Sequence, residues 1–165
     1  MSYPINLDIE NKTCVVIGGG NIAFRKVSGL LNAGANVIVI APNICDELEK
    51  LVLNKVIKYL PQKYIAGCLP SALILIAATD DPKVNEQAAL EGAQKNMLVN
   101  IITKNDLNLN TKFTVPSVIR KDNLMLTIST NGNSPALSKR LRLYLEARWD
   151  NIFEEFLTKF KKECE

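Results

Sequence analysis

Three consecutive glycines, Gly18 to Gly20, followed by Ala23, form the part of the sequence best suited to binding chemistry. The spacing fits the pattern G-x-G-x-x-G/A. In that pattern the first glycine permits a tight turn, the second lets a pyrophosphate approach the backbone, and the small third residue keeps helix and strand close. The free N–H groups at the start of the following helix would face the phosphates, together with the positive end of the helix dipole. We therefore predict a dinucleotide site here; the alternative is a glycine-rich turn that binds nothing.

The flanking sequence predicts the strand and the helix that this turn requires. Residues 13–17 are apolar and β-branched, which favours a buried strand. Apolar residues then recur at helical spacing from Ala23 to Leu31, and Gly34 is typical of a helix end. Residues 36–40 predict a second strand, so the motif has the strand and helix context of a β-α-β unit.

The same alternation of strand and helix continues to about residue 102. The predicted elements are a helix at 44–54, a strand at 56–60, a turn or short helix at 65–69, a strand at 72–78, a helix from Pro82 to Lys95 with Asp81 as N-cap, and a strand at 97–102. This order predicts an α/β fold with a Rossmann-type parallel sheet. Ligands of such sheets bind beyond the carboxyl ends of the strands, which places Thr79 and Asp80 on the cofactor edge.

The pattern changes after residue 103, where a polar loop at 105–110 precedes shorter elements. Strands are predicted at 112–115, 117–120 and 124–129, with Asp122-Asn123 as a turn. Ser134 and Pro135 open a helix. Its apolar stripe comprises Leu137, Leu141, Tyr144 and Leu145, and a further helical pattern runs through Ile152, Phe153, Phe156 and Phe160. We predict a nucleotide-binding Rossmann domain at 1–110 and a small α+β domain at 111–165 that dimerises, covers the site, or does both.

Composition and charge exclude several classes of protein. The chain has 165 residues, of which 47% are hydrophobic and 22% charged, as in ordinary globular proteins. Its net charge of +3 is too small to indicate nucleic-acid binding. The longest apolar run, residues 72–78, is too short to cross a bilayer, and the first residues lack the pattern of a secretory signal. We therefore expect no nucleic-acid partner, no membrane association and a cytoplasmic location.

The types of metal-ligating residue are few. The chain contains no histidine, and its four cysteines, at positions 14, 45, 68 and 164, form no C-x-x-C pair. A zinc site needs three or four clustered ligands, so we predict no metal site and interpret the cysteines as ordinary reduced thiols. Without histidine, Ser-His and Cys-His catalysis are also excluded.

The end of the second predicted strand is Ala41-Pro42-Asn43. Many NAD-binding domains place an acidic residue here, against the adenosine ribose. This chain has no Asp or Glu at the strand end, and no arginine that could bind a 2′-phosphate. The residues at this position therefore leave NAD and NADP both open.

Several stretches between residues 3 and 145 together resemble one known family. They are Tyr3-Pro4-Ile5 with Leu7, Gly18 to Lys26, Ala33-Gly34-Ala35, Ala77 to Asp81 with Val84-Asn85, Phe113 with Pro116, and Ser129 to Pro135. The Arg25-Lys26 and Thr79-Asp80-Asp81 blocks are more specific than a bare glycine fingerprint. The family resembled is that of the precorrin-2 dehydrogenases and sirohydrochlorin ferrochelatases, which forms the N-terminal module of siroheme synthase.

The resemblance implies an NAD-dependent enzyme of siroheme or cobalamin biosynthesis. In the family, precorrin-2, a reduced tetrapyrrole, gives up hydride to NAD⁺ and becomes sirohydrochlorin, and some members also insert ferrous iron. Family members are homodimers built through the second domain. The cofactor residues that the glycine motif and the resemblance together imply are Gly18, Gly20, Asn21, Ile22, Pro42, Asn43, Thr79 and Asp80.

Two features depart from the family pattern. The family has a functional aspartate after its fifth strand, in an N-x-x-D pattern, whereas this chain has Asn100-Ile101-Ile102-Thr103. Threonine is no base near neutral pH, and losing a positioned base typically slows a reaction by about 10²–10⁴-fold. Asp106 in the next loop either supplies the carboxylate or is an exposed loop residue, so Thr103 and Asp106 are the catalytic candidates. The family's C-terminal helical region is largely absent, and we therefore expect weak or no ferrochelatase activity.

The predicted substrate residues lie in and after the second glycine-bearing loop. Polar and basic groups there suit a tetrapyrrole that carries many carboxylates. They are Ser129, Thr130, Asn133, Ser134, Lys139 and Arg140. The alternatives are a solvated helix face for the basic residues and a capping role alone for Ser134.

The leading hypothesis is a homodimeric, NAD-dependent precorrin-2 dehydrogenase. A catalytically degraded module that binds NAD or a tetrapyrrole, or that serves as a subunit of a neighbouring enzyme, is the alternative that Thr103 motivates. A nucleotide-gated regulatory domain, of the sort found beside transporters, is a third hypothesis.

Overall fold

The structure is a computed structural model that describes residues 3–103, 107–121 and 124–149. The chain divides into two compact units: one spans Ile5–Phe113, and the other comprises Met1–Pro4 together with Thr114–Glu165. The elements of the first unit are β1 Thr13–Ile17, α1 Asn21–Leu31, β2 Asn36–Ile40, α2 Asp46–Leu53, β3 Lys58–Leu60, β4 Ile74–Ala77, α3 Pro82–Gln94 and β5 Leu98–Ile101. Those of the second unit are β6 Ser117–Lys121, β7 Leu124–Ile128 and α4 Pro135–Glu146.

The first unit is built on a five-stranded sheet in the order β3-β2-β1-β4-β5, with all neighbouring strands parallel. The order reverses between β1 and β4, which is the point where ligands of doubly wound sheets bind. The strands end level with one another, because Ile17 pairs with both Ile40 and Ala77 at the carboxyl edge. The predicted Rossmann-type α/β fold is confirmed.

Apolar side chains cover both faces of this sheet. On one face, α1 and α2 bury Ala23, Val27 and Leu48 against alternate residues of β1, β2 and β4. On the other face, α3 buries Ala88 and Ala89 against the intervening residues. This two-sided burial explains why the strands are almost continuously apolar.

Small residues let α3 pack close to the sheet. A Cβ atom at Gly92 would lie 2.6 Å from Cδ2 of Leu75 and 3.2 Å from Cγ2 of Val99. The buried residues of α3 are otherwise Ala88, Ala89 and Asn85. The helix therefore contributes little apolar bulk and instead brings its backbone near the strands.

Glu91 on α3 holds the segment between β3 and β4. Its carboxylate accepts hydrogen bonds from Tyr64 Oη (2.7 Å) and from the N–H groups of Gly67 (2.9 Å) and Leu69 (3.2 Å), and lies 2.9 Å from Nζ of Lys95. Burial alone would raise the pKa of Glu91, but these hydrogen bonds outweigh burial and lower its pKa to about 2. The carboxylate is therefore charged at neutral pH and braces a segment that has no regular structure.

Several predicted elements differ in extent from the observed ones. β4 is shorter than predicted, and the segment at 65–69 is a turn without a helix. The predicted strand at 112–115 is wrong, because only an isolated bridge between Val99 and Lys112 forms there. Pro116 lies just beyond, and it has no N–H to donate to a neighbouring strand, which disfavours further ladder pairing.

The second unit contains an antiparallel pair of strands and a helix. β6 pairs with β7, with Ser117 opposite Ile128, and α4 packs on this pair. Ile119 and Trp149 are its buried hydrophobic residues among those described. The predicted turn at Asp122-Asn123 and the helical pattern from Ile152 to Phe160 lie outside the described residues.

Helix α4 forms as predicted, but its apolar stripe is exposed. Leu137, Leu141 and Tyr144 keep 56%, 42% and 53% of their surface accessible, while Ser138 on an adjacent face is buried. Arg148 stacks on the ring of Tyr144, 3.9 Å from its centroid. The helical spacing therefore predicted the helix correctly, and Leu145 is the half-buried residue of its apolar stripe.

Within the described part of the chain, no helix is both long enough and apolar enough to cross a membrane.

Candidate functional site

Gly18 makes the turn at the end of β1. Its φ of +119° lies in a region that residues with a side chain rarely adopt, and its N–H donates to the carbonyl of Ile40 at 3.0 Å. A Cβ atom at this position would overlap the carbonyl oxygen of Ala78 at the end of β4. Both the backbone conformation and the close contact therefore require glycine, as the motif predicted.

Gly19 is also required, which the motif alone did not reveal. A Cβ atom here would overlap the carbonyl oxygen of Asn43, and the carbonyl of Gly19 accepts a hydrogen bond from the N–H of Cys45 at 2.8 Å. Tyr59 Oη donates to the carbonyl of Pro42 at 3.3 Å. The loop after β2 is thus fixed against the glycine turn, with the side chains of Pro42 and Asn43 exposed.

The start of α1 has the properties of an anion site. Gly20 is the N-cap, no side chain caps the helix, and its first turn contains no acidic residue. A Cβ atom at Gly20 would meet nothing within 4 Å, so the space in front of the helix is open. Asn21 and Ile22 are exposed beside it, and Ala23 is fully buried against the sheet. An open helix start of this kind fits a phosphate group of a dinucleotide.

The loop after β4 lies next to the glycine turn. The hydroxyl of Thr79 lies 2.8 Å from Oδ1 of Asn85, and the N–H of Thr79 donates to the same oxygen at 2.9 Å. Asp81 caps α3 by accepting the N–H of Lys83 at 2.8 Å, as predicted for this residue. Asp80 is exposed between them. The predicted cofactor residues therefore converge on one edge of the sheet, where three of its loops meet.

The first turn of α2 brings negative charge near this edge. Asp46, Glu47 and Glu49 all lie in this turn. α2 begins shortly after Pro42 and Asn43, and the backbone N–H of its N-cap residue, Cys45, donates a hydrogen bond to the carbonyl of Gly19. These acidic residues were not predicted, because an acidic residue near the ribose was sought only at the end of β2.

Thr103 follows β5 at the same edge of the sheet and is half-buried. Asn100 lies within β5, three residues before Thr103; it is buried and donates from Nδ2 to the carbonyl of Phe113 at 2.9 Å. This bond and those between Val99 and residues 111–113 hold residues 111–113 against β5. Asp106, the other catalytic candidate, lies outside the described residues.

The predicted substrate residues belong to the second unit. Thr130 Oγ1 accepts the N–H of Ser134 at 3.0 Å, and the N–H of Asn133 donates to the carbonyl of Thr130 at 3.0 Å. Ser129 Oγ accepts the N–H of Asn131 at 3.1 Å, and Ser134 caps α4 through the N–H of Leu137 at 3.3 Å. The loop is therefore ordered by its own side chains, and Ser134 has the predicted capping role.

The basic residues of α4 differ in their surroundings. Lys139 and Arg140 are exposed. Arg142 is paired with Glu146, with a 2.7 Å distance from Nη1 to the carboxylate. Lys139 and Arg140 therefore remain the accessible cations of this helix among the described residues.

The described residues contain no group of three or more His, Cys, Asp and Glu side chains that could hold a metal ion. Cys14, Cys45 and Cys68 are free thiols. Burial raises the pKa of Cys14 to about 11, although a hydrogen bond at Ile74 opposes this shift. Cys14 is thus a packing residue of β1, as predicted.

Comparison with known proteins identifies two family regions in the chain. The family described as "Putative NAD(P)-binding" matches residues 5–117. The family described as "Sirohaem biosynthesis protein central" matches residues 122–148. The first match covers the sheet and all the predicted cofactor residues.

The chain is also similar in sequence to siroheme synthases and in structure to a precorrin-2 dehydrogenase. The chain is 36% identical over 148 residues to "Siroheme synthase" of Tolumonas auensis, and 38% identical over 147 residues to that of Psychromonas ingrahamii. These alignments cover 89% and 88% of this chain, but it spans only 31% and 30% of the length of those relatives. A solved structure titled "SirC, precorrin-2 dehydrogenase" is 29% identical with a TM-score of 0.78, covering 99% of this chain and 78% of that one.

The glycine turn, the open helix start and the family match all fall on the same residues, 18–23. The chain therefore belongs to the putative NAD(P)-binding family and is a relative of the N-terminal module of siroheme synthase.

Proposed function

We propose that this chain is an NAD-dependent precorrin-2 dehydrogenase that forms sirohydrochlorin on the route to siroheme or cobalamin. The observation that carries the proposal is the open, uncapped start of α1 at Gly20, at the carboxyl edge of the sheet. The similar solved structure reported above is titled a precorrin-2 dehydrogenase. This chain's own residues support the binding of the cofactor. The similarity to siroheme synthases and to a precorrin-2 dehydrogenase supports the choice of reaction.

Each cofactor residue has a separate task in this proposal. The N–H groups of Asn21 and Ile22 bind the pyrophosphate, because they lie at the helix start beyond the glycine turn. Pro42 and Asn43 border the adenosine end, and the Thr79–Asp80 loop borders the other side of the turn. When bound, NAD⁺ supplies the acceptor for the hydride that precorrin-2 loses, while one proton leaves to a base or to solvent.

The proton acceptor distinguishes this chain from its family. Thr103 occupies the position where the family pattern has a carboxylate, and its hydroxyl is not a base near neutral pH. In our proposal the proton passes to solvent or to Asp106, and Thr103 lines the site. A degraded module that binds cofactor without turnover is the second candidate, which the same observation at Thr103 favours.

The cofactor in this proposal is NAD rather than NADP. The 2′-phosphate of NADP would add negative charge near the loop of Pro42 and Asn43. The acidic first turn of α2 follows that loop directly, with Asp46 and Glu47 exposed. Like charges disfavour the phosphate, so the local electrostatics support NAD.

The second unit has the features of a dimer interface. Ile119 and Trp149 are the buried hydrophobic residues of its described part, and a two-stranded sheet is marginally stable in water unless other elements pack on it. Leu137, Leu141 and Tyr144 form an exposed stripe on α4. We propose that a second copy of the chain covers this stripe, and that Ser129, Thr130, Asn133, Lys139 and Arg140 hold carboxylates of the tetrapyrrole. A cytoplasmic location also stays a proposal.

The test is an anaerobic assay with precorrin-2 and NAD⁺ that follows NADH and sirohydrochlorin together. Wild-type chain is compared with Gly20→Asp, which places a carboxylate where the pyrophosphate would lie. Gly29→Asp on the same helix is the matched control, since neither glycine has a neighbour within 4 Å of a Cβ atom. We expect turnover and NAD⁺ binding to be lost in Gly20→Asp and kept in Gly29→Asp.

Two further variants separate the two candidate functions. Turnover by wild type, lost in Asp106→Asn, identifies Asp106 as the proton acceptor. Turnover only in Thr103→Asp shows that the chain is a degraded module. Equal NAD⁺ binding by wild type and Gly20→Asp would contradict the cofactor site itself.

A further inference from the structure

Asn85 makes an unusual set of contacts for a residue in the second turn of a helix. Its side chain is completely buried. Oδ1 accepts the N–H of Thr79 at 2.9 Å and lies 2.8 Å from the Thr79 hydroxyl, while Nδ2 donates to the Thr79 carbonyl at 2.9 Å. One amide side chain therefore binds the N–H, the hydroxyl and the carbonyl of a single residue.

These bonds do not serve the helix start. The N-cap of α3 is Asp81, whose own carboxylate accepts the N–H of Lys83, and Pro82 occupies the first turn. The backbone N–H of Asn85 is bonded to the carbonyl of Asp81 in the ordinary helical way. The Asn85 side chain is thus committed to the loop and not to the cap.

The loop that Asn85 holds lies directly against the glycine turn. The carbonyl of Ala78 fills the space that a Cβ atom of Gly18 would occupy, and the N–H of Thr79 lies 3.2 Å from that same point. β1 and β4 are neighbours at the point where the strand order reverses. A shift of the Thr79 backbone would therefore be transmitted to the turn that precedes α1.

The hydroxyl of Thr79 is fully engaged within the loop. Besides Asn85, it lies 3.1 Å from the carbonyl of Asp81 and accepts the N–H of Asp81 at 3.3 Å. A single hydroxyl proton shared between two acceptors leaves no donor for a ligand. Asp80 and Asp81 are both exposed, but the carboxylate of Asp81 caps α3, so Asp80 is the residue of the loop with a carboxylate not used by the cap.

We propose that Asn85 is a positioning residue for the dinucleotide site. Its side-chain hydrogen bonds hold the backbone of Thr79 in place, so that Asp80 and the glycine turn keep the geometry that binds the dinucleotide. This inference deepens the proposed function and rests on it for the identity of the cofactor. Thr79 and Asn85 act as one unit, and neither contacts the cofactor through its side chain.

The first arm of the experiment measures the loop itself. Amide hydrogen exchange of Thr79 and Asp81 is compared in wild type and in Asn85→Leu, which has a similar volume and no hydrogen-bonding group. We expect both amides to exchange faster in the variant. An unchanged exchange rate of the Thr79 amide in a folded Asn85→Leu protein would overturn the proposal that Asn85 holds Thr79 in place, whether or not the chain binds NAD⁺.

The second arm measures the affinity for NAD⁺. Asn85→Leu should weaken binding by about tenfold, the factor that corresponds to losing about 1.4 kcal/mol. The KM for NAD⁺ should rise by a similar factor, with kcat at saturating NAD⁺ little changed. Met97→Ala is the control for stability, because Met97 is buried before β5, far from the carboxyl edge. It should lower the melting temperature without changing the affinity for NAD⁺.

Conservative variants keep the proposal testable if Asn85→Leu does not fold. Thr79→Ser retains the hydroxyl and should bind NAD⁺ like wild type, whereas Thr79→Val should resemble the loss of Asn85. A Thr79→Val protein that is folded and binds NAD⁺ normally would overturn the proposal. A wild-type chain without any affinity for NAD⁺ would contradict the proposed function instead, and hydrogen exchange alone would then decide the role of Asn85.

Discussion

The carbonyl oxygen of Asn43 lies in the space that a side chain on Gly19 would need. The two residues are 24 positions apart, yet this contact and the 2.8 Å bond from Cys45 to Gly19 join the loops that follow β1 and β2. The two loops can therefore approach this closely only because Gly19 has no Cβ atom.

Gly19→Ala should separate these two loops. Overpacking of this kind typically costs about 1–3 kcal/mol of unfolding free energy, and we expect weaker NAD⁺ binding in addition. Denaturant unfolding and calorimetric titration measure the two effects. Gly29→Ala is the control, because its Cβ atom would meet open space on a helix, where alanine is favoured. A Gly19→Ala protein as stable as wild type would contradict the close contact.

Glu91 should make the stability of the first unit depend on acid. Its pKa is lowered to about 2 in the folded chain, so the stabilisation is complete above its ordinary pKa and is lost as the pH falls toward 2. Glu91→Gln should lower the unfolding free energy at pH 7 by about 1–3 kcal/mol and flatten the decline below pH 4.5. Thermal melts across pH 2–7 test this, with exposed Glu10→Gln as the control.

The acidic turn of α2 should influence the choice of cofactor. Replacing Asp46 and Glu47 by Asn and Gln removes two negative charges beside the proposed adenosine end, and we expect the affinity for NADP⁺ relative to NAD⁺ to rise by up to about fivefold. Dissociation constants for both cofactors at low salt provide the measurement. Glu10→Gln removes a charge before β1, at the opposite edge of the sheet, and should leave the ratio unchanged. An unaltered ratio in the double variant would exclude this electrostatic role.

The exposed stripe of α4 should determine the oligomeric state. Leu141→Lys places a charge in the middle of the stripe and should prevent the proposed dimer, so that the variant sediments as a monomer at concentrations where we expect wild type to be dimeric. Sedimentation velocity distinguishes the two states. Leu143→Lys changes a leucine of similar exposure on another face of the same helix and should remain dimeric. Equal sedimentation of wild type and Leu141→Lys would argue against this interface.

Much of the first unit could be predicted because its signals are local. The apolar run of β1 and the Asp81-Pro82 start of α3 gave correct element positions, since burial on both faces and capping depend on neighbouring residues. The prediction of a strand at 112–115 was wrong because strand pairing there depends on residues distant in the sequence. Its residues have strand-like types, but Phe113 is bonded to β5 and the chain then leaves the edge before Pro116.

The site residues divide in the same way. Gly18 and Gly20 follow from a short motif whose spacing reflects one turn. The need for Gly19 and the role of Asn85 depend on contacts made through the fold, and no local pattern distinguishes Asn85 from a polar residue on the outer face of a helix. For α4, the spacing predicted a helix, whereas the face that is buried depends on where β6 and β7 lie.

The uncapped start of α1 has a thermodynamic consequence. Serine, asparagine or aspartate at the N-cap would satisfy one of the free N–H groups and is commonly worth a few tenths of a kcal/mol over glycine. The chain has Gly20 instead and so leaves those donors to a ligand. In the proposed complex the pyrophosphate supplies the acceptors that an N-cap side chain would otherwise supply at the start of α1, so a lower intrinsic stability accompanies a higher affinity for the cofactor. An empty chain should accordingly melt below a loaded one, and Gly20→Asp should be at least as stable as the empty wild type while binding nothing.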